Sequence, residues 1–147
     1  VTEIEPVIAS FVRAFEKIYR DRGLVFETDI EPGLRFRGEK QDFEEMIGNL
    51  ADNAGKWANG RVMISVACME GGTTPMLILT VDDDGPGLAE EARKEATKRG
   101  RRLDETKPGS GLGLSIVSDL ATSYRGSLAL DASEHGGLKA VLELPAA

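Results

Sequence analysis

Three helical patterns, each followed by a pair of short apolar strands, fill almost all of this chain. Apolar residues recur at three- and four-residue spacing over 7–23, 40–58 and 114–124, which predicts amphipathic helices there. Strands are predicted at 24–30, 34–37, 61–69, 76–82, 127–132 and 138–144, and the polar stretch 90–99 as a short helix or mobile loop. This order predicts a two-layer α/β sandwich, with a mixed, mostly antiparallel sheet and three helices on one face.

The 147 residues are enough for one domain with a full core, and no repeat or linker divides them. The sequence begins with Val1 rather than Met, so we interpret 1–147 as a single domain excised from a longer protein. No apolar run approaches the roughly 20 residues of a membrane span, so we expect no direct membrane contact by this part of the protein.

Composition excludes several kinds of site. A net charge of −7 argues against nucleic-acid binding. One cysteine, Cys68, and one histidine, His135, exclude an internal disulfide and a metal site built from His and Cys. The basic residues of "KRGRR" (98–102) and the nearby Lys107 are bunched, which indicates a locally bound anion; the alternative is a solvated charge run.

A polar stripe runs along the second predicted helix. By the 3.6-residue period, Asn49, Asn53 and Lys56 lie together about 100° round from the apolar face, and Trp57 falls between the two. Two amide oxygens and an ammonium on successive turns can face a hydrated cation and a phosphate chain. Magnesium takes oxygen ligands and keeps several waters, which suits neutral amides when phosphates supply the negative charge. The alternative is an ordinary polar helix face.

Two glycine-rich stretches follow. In "VDDDGPGL" (81–88) the carboxylates are consecutive and no closing glutamate follows, so it is not a calcium loop. A strand entering a Gly-Pro-Gly turn fits better, because glycines let the backbone approach a flat ligand, and a carboxylate at the strand end could accept from adenine's amine. In "GSGLGLSIV" (109–117) glycines open a helix and present N–H groups to an anion. No βαβ unit precedes this stretch, as a dinucleotide-binding fold would require, and the chain contains no P-loop sequence.

The order of the three motifs is more specific than any one of them. An Asn-x-x-x-Asn-x-x-Lys helix, an Asp-x-Gly-x-Gly strand end and a Gly-x-Gly-x-Gly helix start together resemble the ATP-binding catalytic domain of sensor histidine kinases. That family shares a superfamily with gyrase, the ninety-kilodalton heat-shock chaperone and MutL. The stretch "RGRRLDETKPGSG" (99–111) is most similar to the mobile ATP lid of PhoQ-type kinases.

The resemblance implies ATP and Mg²⁺ as ligands and a role for each matching residue. Asn53 would coordinate magnesium, with Asn49 on metal or phosphate and Lys56 on the phosphates. Trp57 would pack near adenine and Asp83 would accept from its amine. The remaining implied nucleotide contacts are Gly85 and Gly87 in the base pocket, Gly109, Gly111, Leu112 and Gly113 at the lid, and Arg102 and Lys107 as lid cations on the terminal phosphate. Unlike the family's usual lid, this one has no phenylalanine between Leu88 and Leu112.

The resemblance also bears on the reaction. Hydrolysing relatives place a glutamate where this chain has Asn49, and an amide cannot take up a proton from water. We therefore expect transfer of the γ-phosphoryl group to a histidine on a separate dimerisation domain, then to a response regulator. The parent would be an inner-membrane sensor with this domain in the cytoplasm. The alternatives are a stand-alone ATPase or ATP-gated dimerisation module, and a degenerate domain that only binds other proteins.

Overall fold

A five-stranded mixed sheet forms one layer of the computed structural model, which describes residues 1–70, 72–97 and 113–147. The described strands are β1 (Thr2–Glu3), β2 (Val25–Ile30), β3 (Arg35–Phe36), β4 (Arg61–Met69), β5 (Met76–Asp83), β6 (Ser127–Ala132) and β7 (Leu138–Pro145). The order in the main sheet is β2-β4-β5-β7-β6, and β2–β4 is its one parallel pair while the other three pairs are antiparallel. The predicted mixed, mostly antiparallel sheet is confirmed.

Helices form the second layer. The described helices are α1 (Ile4–Ile18), α2 (Lys40–Trp57), α3 (Glu90–Ala96) and α4 (Gly113–Ser123). Alternate residues of the central strands are buried under the helices, as the period-2 pattern of a half-covered sheet requires. The largest fully buried side chains of α2 and the central strands are Phe43, Met46, Ile47, Leu50, Ile64, Leu77, Leu79, Leu142 and Leu144. The predicted sandwich is thus confirmed. The stretch 90–99 contains the short helix α3, which lies beside β6 and is additional to the three predicted helices.

Two parts of the N-terminal third differ from the prediction. The first helix ends at Ile18, and a short 3₁₀ turn, Arg20–Arg22, leads to Gly23, whose φ of 64° is in the left-handed region. β3 does not join the main sheet: it pairs with β1, and Phe36 bridges to Ala146. Segments of two residues carry no periodicity, so their partners are set by tertiary packing.

The register brings distant residues together at one end of the sheet. Val62 at the start of β4 lies opposite Asp83 at the end of β5, and Asp82 lies opposite Lys139 at the start of β7. The C-terminal end of α2 leads through a short turn into β4, so it reaches the same end. None of the helices in the described part of the chain is both long enough and apolar enough to cross a membrane.

Candidate functional site

A pocket opens where α2 and β5 end and β7 begins. It is lined by Asn53, Trp57, Asp83, Gly87, Leu88 and Leu138, and we call it the β5 pocket. Five of these residues come from the second helix and from the stretch 81–88 that the sequence analysis singled out. Apolar walls from Trp57, Leu88 and Leu138 surround one carboxylate and one amide, which is the composition of a small-molecule site.

Asp83 is the most deeply buried polar residue of the β5 pocket, with 2% of its surface exposed. The backbone N–H groups of Gly85 and Leu138 donate to its Oδ1 at 2.9 and 3.3 Å. Burial raises the pKa of Asp83, and the neighbouring Asp84 and Asp82 add to the rise, while the two backbone donors oppose it. Since both described donors occupy Oδ1, the carboxylate retains Oδ2 as an acceptor for a ligand in the pocket.

Glycines let backbone segments converge on this carboxylate. A Cβ at Gly85 would collide with the backbone carbonyl of Trp57, and one at Gly137 would collide with the Asp83 carboxylate and backbone. Gly87 has a φ of 72° and lies against the carbonyls of Gly136 and Gly137. The predicted roles of Gly85 and Gly87 in shaping a pocket therefore have a steric basis, and Gly137 is a further glycine, packed against Asp83, that the sequence analysis missed.

The aspartates on either side of Asp83 hold the two loops beside the pocket. The Ser133 hydroxyl donates to Asp82 Oδ1 at 2.7 Å, which anchors the β6–β7 hairpin that carries Gly137. Asp84 Oδ1 accepts from the backbone N–H groups of residues 59, 60 and 61 at 2.8 to 3.1 Å, which fixes the turn between α2 and β4. Three consecutive carboxylates thus have three different structural partners.

Those hydrogen bonds also control the ionisation of Asp84. Burial alone would raise the pKa of Asp84, but donation from three backbone N–H groups outweighs burial and holds the pKa below its usual range. Asp84 therefore stays ionised in mildly acidic solution and continues to accept the hydrogen bonds that fix the turn.

The helix stripe lies beside the β5 pocket. Asn49 donates through Nδ2 to the carbonyl of Glu45 at 2.7 Å, so its Oδ1 is the side-chain atom that can accept. A Cβ placed on Gly113 would come within 3.0 Å of that oxygen, so the start of α4 lies directly against Asn49. Asn53 is one turn further on and lines the β5 pocket itself.

Comparison with known proteins identifies this arrangement. The family model of histidine kinase-, DNA gyrase B- and HSP90-like ATPases matches residues 38–147. The chain belongs to this ATPase family. The stretch matched runs from just before α2 to the last residue, so it includes both the stripe and the β5 pocket.

Sensor kinases are among the proteins most similar to this ATPase-family chain. The sensor protein kinase CarS of Pseudomonas aeruginosa is 48% identical over 114 residues, which cover 78% of this chain and 25% of CarS. The two-component sensor PhoQ of the same organism is 36% identical over 135 residues, covering 92% of this chain and 29% of PhoQ. The mycobacterial sensor histidine kinase MprB has a solved structure with a TM-score of 0.79 and 29% identity, covering 99% of this chain and 98% of that one. The chain spans less than a third of the length of CarS and PhoQ.

Within the ATPase domain the predicted residues divide into two groups. The structure brings Asn49, Asn53, Lys56, Trp57, Asp83, Gly85, Gly87 and Gly113 to one end of the sheet. The lid residues Arg102, Lys107, Gly109, Gly111 and Leu112 lie outside the described residues. His135 is exposed in the β6–β7 hairpin, with Nε2 3.6 Å from an oxygen of Glu134.

Lys56 has a partner that the sequence analysis did not anticipate. Its Nζ lies 3.0 Å from Asp52 Oδ2, and the Tyr19 hydroxyl donates to Asp52 Oδ1 at 3.1 Å. Burial and the adjacent Asp52 carboxylate raise the pKa of Tyr19 to about 12, while Arg22 acts in the opposite direction. Tyr19 therefore remains a hydrogen-bond donor across the whole physiological range.

Proposed function

We propose that this domain binds Mg-ATP and donates the γ-phosphoryl group to a histidine on a separate dimerisation domain, from which a response regulator receives it. The parent protein would be an inner-membrane sensor kinase with this domain on its cytoplasmic side. Support comes from the ATPase family, from the sensor-kinase relatives and from the site itself.

The observation that carries the proposal is the buried Asp83 carboxylate in the β5 pocket. Adenine is flat, largely apolar on its faces and carries an exocyclic amine on one edge. Trp57, Leu88 and Leu138 supply apolar walls, and Asp83 supplies a buried carboxylate that can accept from that amine. A charged acceptor in a desolvated pocket recognises a donor strongly, because an unpaired charge there is costly.

The polar stripe supplies groups for the phosphates and the metal. No three His, Cys, Asp or Glu side chains cluster to hold a metal within the described part of the chain. A cation at this site would therefore take amide oxygens from Asn49 and Asn53 together with phosphate oxygens, which is a donor set that suits magnesium. Magnesium, when bound, would neutralise phosphate charge, and the Lys56 ammonium would add a second positive charge.

The choice between transfer and hydrolysis follows from Asn49. Its amide donates to the Glu45 carbonyl and presents an oxygen that cannot act as a base at neutral pH. Phosphoryl transfer needs positioning and charge neutralisation more than covalent help from the protein. This chain's residues supply the nucleotide-holding part, and the acceptor histidine and its neighbouring acid or base would come from the dimerisation domain.

A second candidate is a stand-alone ATPase or ATP-gated dimerisation module, because the family model also includes gyrase- and HSP90-like ATPases. The two candidates differ in what the isolated domain does with ATP. We expect the domain to bind ATP and release almost no phosphate. Adding the parent's dimerisation domain as a separate chain should produce an acid-labile label on that second chain.

Radiolabelled ATP and gel analysis at neutral pH test this prediction, with a dimerisation domain lacking its acceptor histidine as the control. Rapid phosphate release by the isolated domain would favour the ATPase. Stable label on this domain would also contradict the transfer reaction.

A second prediction concerns Asn53. Replacing it with alanine should weaken magnesium-dependent ATP binding at least about tenfold, because an oxygen ligand is lost, while the apolar face of α2 is unchanged. Titration of a fluorescent ATP analogue with and without magnesium measures the effect. Gln41→Ala, an exposed position on the same helix, is the control. Equal magnesium dependence in Asn53→Ala and the parent would remove Asn53 from the metal site.

A further inference from the structure

A charged cluster that the nucleotide pocket does not use lies beside the last turns of α2. Asp52 accepts from Tyr19 on Oδ1 and pairs with Lys56 on Oδ2, so both carboxylate oxygens have partners from the described residues. Lys56 is 23% and Asp52 is 41% exposed at the side chain, so water reaches the pair but does not surround it. The one cation on the polar stripe is therefore already neutralised by a carboxylate.

The cluster is fixed from the α1 side. The Tyr19 ring packs so closely on Gly55 that a Cβ there would come within 2.5 Å of it. Arg22 lies over the same ring, with its guanidinium carbon 5.1 Å from the centroid, and donates to the carbonyls of Gly55 and Ala58 at 2.8 and 2.6 Å. These contacts hold the Tyr19 hydroxyl, and with it the Asp52 carboxylate, on the side of α2 that faces α1.

Helical geometry places Lys56 between Asp52 and Asn53 on the surface of α2. At 100° per residue, Lys56 projects about 40° from Asp52 and about 60° from Asn53. Its flexible four-carbon stem can direct the ammonium to either side. In the structure the ammonium is on the Asp52 side, 3.0 Å from Asp52 Oδ2.

We propose that Asp52 is a further affinity-determining residue of the site, because it competes with the nucleotide's phosphates for Lys56. This inference rests on the proposed function. When a nucleotide binds, Lys56 turns from Asp52 towards the phosphate chain. Asp52 then remains bound to the Tyr19 hydroxyl and to water, so no buried charge is left unpaired.

The size of the effect follows from the exposure of the pair. Partly exposed ion pairs are weak, so the phosphates win the competition, but their affinity is lowered by the ion pair that must be broken. Replacing Asp52 with asparagine keeps the shape and the acceptor for Tyr19 and removes the charge. We expect it to increase the affinity for ATP about two- to five-fold and to leave adenosine affinity unchanged.

The experiment is isothermal titration of ATP and adenosine into four forms: the parent, Asp52→Asn, Lys56→Met and the double variant. Tyr19→Phe, which keeps the Asp52 charge, is the control and should not gain ATP affinity. The gain from Asp52→Asn should disappear in the Lys56→Met background, since no ammonium remains to be released.

Each other outcome overturns the inference. Lower ATP affinity in Asp52→Asn would mean that Asp52 holds Lys56 in its productive position. A gain that persists without Lys56 would mean that Asp52 acts on the phosphates directly through its charge. If the parent itself binds neither ATP nor adenosine, the proposed function fails, which is a different result from failure of the competition.

Discussion

Replacing Asp83 with asparagine should weaken ATP binding about 10- to 100-fold while leaving the domain folded. The amide oxygen can take over Oδ1 and accept from the N–H groups of Gly85 and Leu138. The amide NH₂ then occupies the second position and meets the adenine amine, so two donors face each other. The loss falls on ATP alone, because guanine carries a carbonyl at the corresponding place, and ATP selectivity over GTP should fall or reverse.

The stability of Asp83→Asn separates loss of recognition from loss of structure. Burial raises the folded-state pKa of Asp83, so the native protein binds the proton more tightly than the unfolded chain does. Ionisation of Asp83 therefore costs stability as pH rises from its unfolded pKa through its raised folded pKa, and the cost is complete above that pKa. The variant has no such cost, so at neutral pH its melting temperature should equal or exceed that of the parent.

Two measurements test this prediction. Nucleotide titrations compare ATP with GTP in both proteins, and thermal melts follow both from neutral to acidic pH. Any stability advantage of Asp83→Asn should shrink as pH falls, because the parent's carboxyl becomes protonated. Unchanged ATP affinity in a folded variant would show that Asp83 does not contact the base.

Most residues of the candidate site could be predicted from the sequence, because the patterns that mark them span only a few neighbouring residues. The 3.6-residue period set Asn49, Asn53 and Lys56 on one stripe, and the structure places them on consecutive turns at the end of the sheet. The strand end with its Gly-x-Gly turn likewise located Asp83 at the wall of a pocket. The helix and strand bounds agree to within a few residues for the long elements, since these have clear periodicity.

The residues that the sequence analysis missed act over long separations. Gly137 meets Asp83 from 54 positions away in the chain, and Tyr19 meets Asp52 from 33 positions away. No period or motif indicates such partners, because they depend on how the sheet and α1 pack around α2. The double glycine of "SEHGG" gave no such signal, because Gly-Gly is a common pair in hairpin turns.

Replacing Gly85 with alanine should both destabilise the domain and disable the β5 pocket. The new Cβ would overlap the backbone carbonyl of Trp57. A backbone carbonyl cannot relieve this clash by a change of side-chain rotamer. The strand end must then shift from the end of α2, which costs about 1–3 kcal/mol as other overpacked sites do. For a domain of this size we expect the melting temperature to fall by about 3 to 10 °C.

Gly60→Ala is the matched control, because Gly60 lies in the adjacent turn and its added Cβ would meet nothing nearer than Asp84 Oδ2 at 3.7 Å. Since the N–H of residue 60 is retained, its hydrogen bond to Asp84 is retained too. We expect Gly60→Ala to keep the parent's melting temperature and ATP affinity. Gly85→Ala should lose ATP affinity even at temperatures where circular dichroism shows it fully folded, because the shift separates Trp57 from Asp83. Parent-like ATP affinity in folded Gly85→Ala would mean that the close approach of β5 to α2 is not needed for nucleotide binding.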